Sequence, residues 1–354
     1  MNELVYPLTF EPQFRPYVWG GRNLETLYGR RLPEGIVAES WEISGHLSSP
    51  TRVATGVYRG WLLPDLLSAL GVQLVGRNAE QLTRDRFPLL VKLLDANQDL
   101  SLQVHPDDAF AREHEHGELG KTEMWCVLHA KPGAEIIYGL ARGATRESFA
   151  RESFATALGG GALETQLHRL KVAAGDCVFI PAGTLHALLA GVVVAEIQEN
   201  SDTTYRVYDW GRLGADGQPR PTHIARALQV INYGQIEPGK VEPLPVAEGE
   251  GMVASRLVTC PQFVAERVAL SPGAQYVGRC DGSTFEIWGC IGGHCSLHWA
   301  GEPLSLDAVR FVLLPAALGG YSLRADVACT LLKAYVGEPR ETSWPPGKPM
   351  IPRS

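Results

Sequence analysis

Gly175-Asp176-Cys177-Val178-Phe179-Ile180-Pro181-Ala182-Gly183-Thr184-Leu185-His186 is the stretch that decides the fold. A glycine opens a short apolar run, a Pro-x-Gly turn stops it, and a histidine follows. The spacing predicts a strand, a tight turn, then a histidine on the next strand. Upstream, Gln103 and His105 in Leu102-Gln103-Val104-His105-Pro106 stand two residues apart, so on a strand both side chains leave one face. Glu123, in Gly120-Lys121-Thr122-Glu123-Met124-Trp125, adds a carboxylate. Two imidazoles, one carboxylate and one amide oxygen suit zinc, one ion per chain, with a position left for water or substrate. This is the donor set of a metal-dependent enzyme.

The chain around this set is ordinary for a soluble protein, with 354 residues, 45% apolar and 20% charged. That length predicts two or three compact units. A net charge of −7 without any Lys/Arg-rich run excludes a surface that tracks nucleic-acid phosphates. Basic groups that converge locally still suit a sugar phosphate. No apolar run approaches the roughly 20 residues that span a bilayer, and Met1–Pro7 lacks the basic and apolar regions of a leader. A cytoplasmic protein is expected. The seven cysteines form no C-x-x-C pair and several lie in apolar runs, so they are expected to be buried, reduced thiols.

Short β-branched and apolar runs between Gly and Pro dominate, giving a mainly β chain. Strands are expected at Phe87–Leu94, Leu100–Val104, Met124–Leu128, Glu135–Tyr138, Gln166–Lys171, Cys177–Ile180 and Val192–Glu199. Helices are expected at Asp107–His116, Thr145–Leu158 and His223–Val230, the second opened by a Thr-x-x-Ser cap and stopped by Gly159-Gly160-Gly161. A break is expected at Pro238–Glu250, where Pro, Gly and Glu cluster without periodicity. Beyond it the chain echoes itself. Glu123-Met124-Trp125 returns as Glu286-Ile287-Trp288, and Phe179-Ile180-Pro181-Ala182 as Leu313-Leu314-Pro315-Ala316. Aligning the prolines sets Gly320 opposite His186, so the second copy has lost that ligand.

Gly175-x5-Pro181-x-Gly183-x2-His186 resembles the second motif of the cupin barrels, double-sheet jelly rolls with an interior metal, although the pattern's final Asn is absent. The surrounding words narrow the resemblance. Tyr17-Val18-Trp19-Gly20-Gly21, Ala38–His46, Phe87–Lys92, Leu100–Asp107, Gly120–Trp125 and Asn200–Arg206 stand in the order found in type I mannose-6-phosphate isomerases, in particular their short bacterial form. The likeness is dense from about 7 to 235 and weaker beyond 240.

It implies a cupin barrel within 1–240 with a helical insert around 140–162, a degenerate cupin-like β-domain over 241–340, and a tail over 341–354. It implies zinc on Gln103, His105, Glu123 and His186. It also implies interconversion of mannose 6-phosphate and fructose 6-phosphate by a monomer or homodimer that binds neither nucleic acid nor membrane. Longer members carry a Tyr two residues after the last histidine ligand, where this chain has Leu188. A catalytically silent zinc cupin that binds a sugar phosphate, and an isomerase of another sugar phosphate, are the alternative readings. A cupin oxygenase fits poorly, because a Gln ligand does not suit iron chemistry with dioxygen.

A cis-enediol route needs a base, a cation for the developing oxyanion and an anchor for phosphate. Arg206 lies where the family has an active-site arginine, suited to hold enediolate oxygens. Glu196, flanked by apolar residues, reads either as a base of raised pKa or as a structural partner of Arg206 or Lys121. Lys121, two residues before Glu123, points to phosphate or a substrate oxygen. Ser101 stands two residues before Gln103 and suits phosphate or a sugar hydroxyl. Lys92 interrupts an apolar run, so it is either buried with a partner or emerges at a strand end. Asp202 either orients Arg206 or belongs to a turn. His46 reads equally as a pocket-mouth residue or a plain loop histidine, and the other histidines as surface or structural.

Overall fold

The computed structural model describes residues 5–83, 86–157, 159–213 and 217–338, so the expected tail over 341–354 lies outside the described residues. Two antiparallel sheets form the first roll. One has six strands, in spatial order Cys177–Ile180, Glu123–Ala130, Val192–Glu199, Leu89–Ala96, Glu39–Ile43 and Gln13–Arg15. Facing it are five: Tyr205–Tyr208, Leu102–Val104, His186–Leu188, Glu135–Leu140 and Leu167–Lys171. The two sheets share a core of Trp125, Val127, Val194, Ile136, Tyr138 and Leu188.

A second roll repeats the plan. Its larger sheet runs Leu244–Gly249, Met252–Thr259, Val264–Leu270, Cys329–Tyr335, Glu286–Gly292 and Arg310–Leu314. Its smaller sheet runs Gln275–Cys280, Gly319–Ala325, His294–His298 and Leu304–Asp307. The sequence echo is repeated in the pairing. Glu123 stands opposite Ile180, the residue before Pro181, and Glu286 stands opposite Leu314, the residue before Pro315. The mainly β, double jelly-roll architecture is the one expected.

The two larger sheets pack back to back. One continuous core joins Leu89, Val91, Leu93, Met124, Cys126, Ala195 and Ile197 to Leu257, Ala265, Phe285, Ile287, Leu313 and Leu332. Odd-numbered residues of Leu89–Ala96 face this seam, while Leu94 and Ala96 face the interior of the first roll. A strand covered on both faces needs no polar alternation, which is why this stretch is apolar on both faces apart from Lys92 and Asp95. Residues near the amino terminus reach across the seam. Leu8 exchanges backbone hydrogen bonds with Leu313 at 2.8 and 2.9 Å. Arg30, paired with Glu42 in the interior, also donates to the Val309 carbonyl at 2.6 Å.

The Pro-x-Gly turn has a mechanical basis. Gly183 has φ +85°, and a Cβ there would lie 2.8 Å from the Val230 carbonyl oxygen. Its N–H donates to His105 O and its carbonyl accepts from Asn232 N, both at 2.8 Å, which fixes the start of the His186 strand. The helical insert is Arg146–Ala157, capped reciprocally: Ser148 N donates to Thr145 Oγ1 and Thr145 N to Ser148 Oγ. Asp108–His114 is capped by Asp107, which accepts from Phe110 N, and Ile224–Val230 is the third expected helix.

Two expectations change. Leu63–Leu70, Val72–Val75 and Glu80–Thr83 are helical, with Leu63, Leu66, Leu74 and Val75 buried in the seam between the rolls. Pro64 and Asp65 in the first turn are the start signal. The break at Pro238–Glu250 contains the strand Leu244–Gly249, an edge strand exposed on both faces that therefore carries no apolar period. All seven cysteines are free and buried, as expected.

Phe87 from the first roll and Phe285 from the second meet with ring centroids 4.6 Å apart. Truncating Phe285 to Ala is expected to destabilise the whole chain by about 3–5 kcal/mol. Chemical denaturation read by tryptophan fluorescence checks this, with a single shifted transition expected because the rolls share the seam.

Candidate metal centre and active-site cavity

The site is assembled from both sheets of the first roll. Gln103 lies in the middle of Leu102–Val104, with His186 directly opposite on one side and Arg206 on the other. His105 follows that strand. Glu123 opens a strand of the facing sheet. Lys121 lies just before it, in a turn whose Gly120 fits against the Asp107 backbone, where a Cβ would come within 2.5 Å.

His105, Glu123 and His186 are buried, and their donor atoms all lie within 4.8 Å of one another. Glu123 Oε1 is 3.3 Å from His186 Nε2, and Oε2 is 3.6 Å from His105 Nε2. Each imidazole is oriented by a carbonyl: His105 Nδ1 donates to Thr203 O and His186 Nδ1 to Thr184 O, both at 2.9 Å. A carbonyl can only accept, so Nδ1 carries the proton and the Nε2 lone pair turns inward. Burial favours this neutral form, bringing the His186 pKa down to about 4 and that of His105 well below the ordinary histidine value. Glu123 Oε1 accepts no hydrogen bond although it is fully enclosed. Burial and neighbouring Glu196 raise the Glu123 pKa to about 7. The Gln103 amide lies 3.3 Å from His186 Nε2, and a half-turn of the amide brings Oε1 to the same point. An unpartnered buried carboxylate oxygen beside two inward lone pairs fits a divalent cation; these residues would hold it.

Next to this centre lies a chain of buried charges. Lys121 Nζ is 2.5 Å from Glu123 Oε2, 3.2 Å from His105 Nε2 and 3.7 Å from Glu196 Oε1. Lys92 Nζ lies 3.9 Å from Glu196 Oε1, 3.9 Å from Asp202 Oδ1 and 3.8 Å from Glu39 Oε2, over the Trp41 ring at 4.3 Å. Lys92 is therefore buried with partners. Asp202 pairs with Lys92 rather than serving Arg206. Trp125 Nε1 donates to Glu196 Oε2 at 2.7 Å, leaving Oε1 to the lysines.

Of the two readings of Glu196, the pairing with Lys121 is the one seen, and the raised pKa of the other is reversed. Burial does push it up, but Lys121 and then Lys92 outweigh burial and hold the carboxyl below its ordinary value. Glu196 is ionised. Lys121 is the mirror case: burial disfavours its ammonium, while Glu123 and Glu196 overcome that and keep it protonated.

A cavity of about 200 Å³ opens from these groups. Lys92, Ser101, Gln103, Lys121, Glu196 and Arg206 all line it. Sequence reasoning gave no role to Tyr17, Trp19, Glu39 and Arg220, which line it too. Glu39 accepts from Trp41 Nε1 at 2.7 Å, and burial raises its pKa. Arg220 sits in a loop without periodicity. It reaches the cavity because His223 N, three residues on, donates to Arg206 O at 2.7 Å and folds the loop back. Asp209 holds Arg220 Nε and Nη2 at 2.7 and 2.5 Å and is held in turn by Arg212. The Arg206 guanidinium donates to Pro221 O from Nη1, while its buried Nε has no partner. His46, stacked edge-on against Trp41 and bonded to Ser48, is packed into the structure and does not line the cavity.

Residues 8–121 match the family model for the phosphomannose isomerase type I catalytic domain. The chain is 38% identical over 323 residues to mannose-6-phosphate isomerase ManA of Bacillus subtilis (strain 168), covering 91% of this chain and 97% of that protein. It is 39% identical over 268 residues to mannose-6-phosphate isomerase of Streptococcus mutans, covering 76% and 80%. The crystal structure of the mannose 6-phosphate isomerase from Bacillus subtilis superposes with a TM-score of 0.81 at 33% identity, over 93% of this chain and 99% of that one. Matched nearly end to end by such relatives, the chain belongs to the type I phosphomannose isomerase family.

Proposed function

We propose that this chain interconverts mannose 6-phosphate and fructose 6-phosphate through a cis-enediol, with zinc on Gln103, His105, Glu123 and His186. The observation that carries the reading is one cavity lined by Gln103, by the Lys121–Glu196–Lys92 charge chain and by the two guanidiniums Arg206 and Arg220. Relatives named mannose-6-phosphate isomerase support it. When bound, zinc supplies Lewis acidity that favours negative charge on the reacting oxygens.

The chain's own residues do the rest. Glu196, ionised and anchored by Trp125 through Oε2, presents Oε1, flanked by the Lys121 and Lys92 ammoniums, to take the proton exchanged between C2 and C1. Its two lysine neighbours make it a weak base, so its usefulness rests on position. Lys121, kept protonated, donates to a substrate oxygen beside the metal ligands and holds Glu196 in line. Arg206, next to Gln103 in the sheet, has spare donors for the developing oxyanion. Arg220 anchors the phosphate, because burial and the charge of Arg220 already lower the pKa of Arg206, and two crowded guanidiniums favour an anion between them. Ser101 donates to the phosphate or a hydroxyl. Lys92 and Asp202 pair at the other wall and bind sugar hydroxyls.

Three outcomes are expected. In a coupled assay for fructose 6-phosphate, chelation abolishes turnover and zinc restores it; a zinc-loaded, folded protein without turnover would sink the reading. Glu196→Gln lowers kcat by about 10²–10⁴-fold and stops exchange of the C2 proton with solvent, followed by NMR in deuterium oxide. Arg220→Gln weakens binding of the phosphate ester by about 1.5–3 kcal/mol, the value of a hydrogen bond to a charged group, seen in KM. Binding of unphosphorylated mannose, which has no phosphate for Arg220 to hold, is expected to stay unchanged.

A further inference from the structure

The second roll contains a counterpart of the Glu123–Glu196–Lys92 cluster beside the metal centre. In the first roll Glu196 stands opposite Trp125 on one side and Lys92 on the other. In the second roll Lys333 stands opposite Trp288 and Glu266. The register is the same and the charges are exchanged. Glu286 occupies the pairing position of the metal-site residue Glu123.

The two glutamates differ in how their oxygens are used. Glu123 Oε1 has no partner. Glu286 Oε1 is 2.9 Å from Lys333 Nζ, and its Oε2 accepts from Trp288 Nε1 at 2.9 Å and from the Tyr321 hydroxyl. Around the Lys333 ammonium stand three aromatic rings, with centroids at 5.0 Å for Tyr335, 5.3 Å for Trp288 and 5.7 Å for Tyr276. The Tyr276 hydroxyl is 3.3 Å from Nζ. A carboxylate with an aromatic surround is how proteins bind a free alkylammonium ion.

We propose that the interior of the second roll is a cation site occupied by the chain's own lysine, with the Lys333 ammonium filling the role that the metal fills beside Glu123. The site is closed to metals because its cation is covalently supplied. Removing that side chain turns it into a receptor for small primary alkylammonium ions.

The test is thermal unfolding of the full chain with Lys333→Ala, a substitution that deletes a propylammonium group. Propylammonium chloride is expected to raise the Tm of this variant saturably, by about 2 °C at tenfold excess over Kd. Sodium chloride and uncharged 1-propanol should not, and the parent chain should show only the general salt effect. No saturable rise, or an equal rise with 1-propanol, overturns the proposal. If Lys333→Ala does not fold, Glu286→Gln, Lys333→Met and the double variant decide. The double variant should be more stable than Lys333→Met, because a buried carboxylate without its cation is worse than a neutral pair. Additive losses in the double variant overturn it.

Discussion

The six-stranded sheet of the first roll is covered on both faces, and this constraint governs the site. Its strands carry Lys92, Glu123 and Glu196 with almost no water to solvate them. Charges in that setting must be neutralised by one another, since an unpaired buried ion costs several kcal/mol. Three largely buried carboxylates (Glu39, Glu123 and Glu196) and the half-exposed Asp202 face two ammoniums (Lys92 and Lys121). A divalent cation beside Glu123 would bring the cluster close to balance. The same packing that stabilises the fold thus leaves negative charge beside Glu123 that a cation would offset.

This view also explains how the acid–base groups differ. Glu196 and Glu123 share a sheet and a neighbour in Lys121, yet their pKa values move in opposite directions. Glu196 has two ammoniums in reach, while Glu123 meets one and is repelled by Glu196 itself. Their environment, rather than residue type, decides which carboxylate is held ionised and which is pushed toward its neutral form when no cation is bound.

Much of this was legible in the chain. Cys177–Ile180 and Val192–Glu199 were delimited to the residue, because a buried strand between turns leaves a sharp apolar run. Spacing by two put Gln103 with His105 and Lys121 with Glu123, although Lys121 keeps its position from a turn. What was hidden depended on contacts distant in sequence. The lowered pKa of Glu196 needs Lys121 and Lys92, each from another segment. Arg220 reaches the cavity only through a backbone bond to the Arg206 strand. Among the helices between 63 and 83, Leu63, Leu66, Leu67 and Leu70 do recur at helical spacing, so the first was legible although not among those expected; the two four-residue helices after it are too short to show a period.

The bridge between Leu8 and Leu313 bears on how the molecule is made. A chain leaving the ribosome has presented all four proposed metal ligands by His186, but the back of the sheet that carries Glu123 still lacks its cover. That apolar surface stays open until the strands from Val264 to Tyr335 have emerged, and only then does the start of the chain find its hydrogen-bonding partner. The nascent protein thus passes through a stage with its site residues synthesised and its seam unsealed.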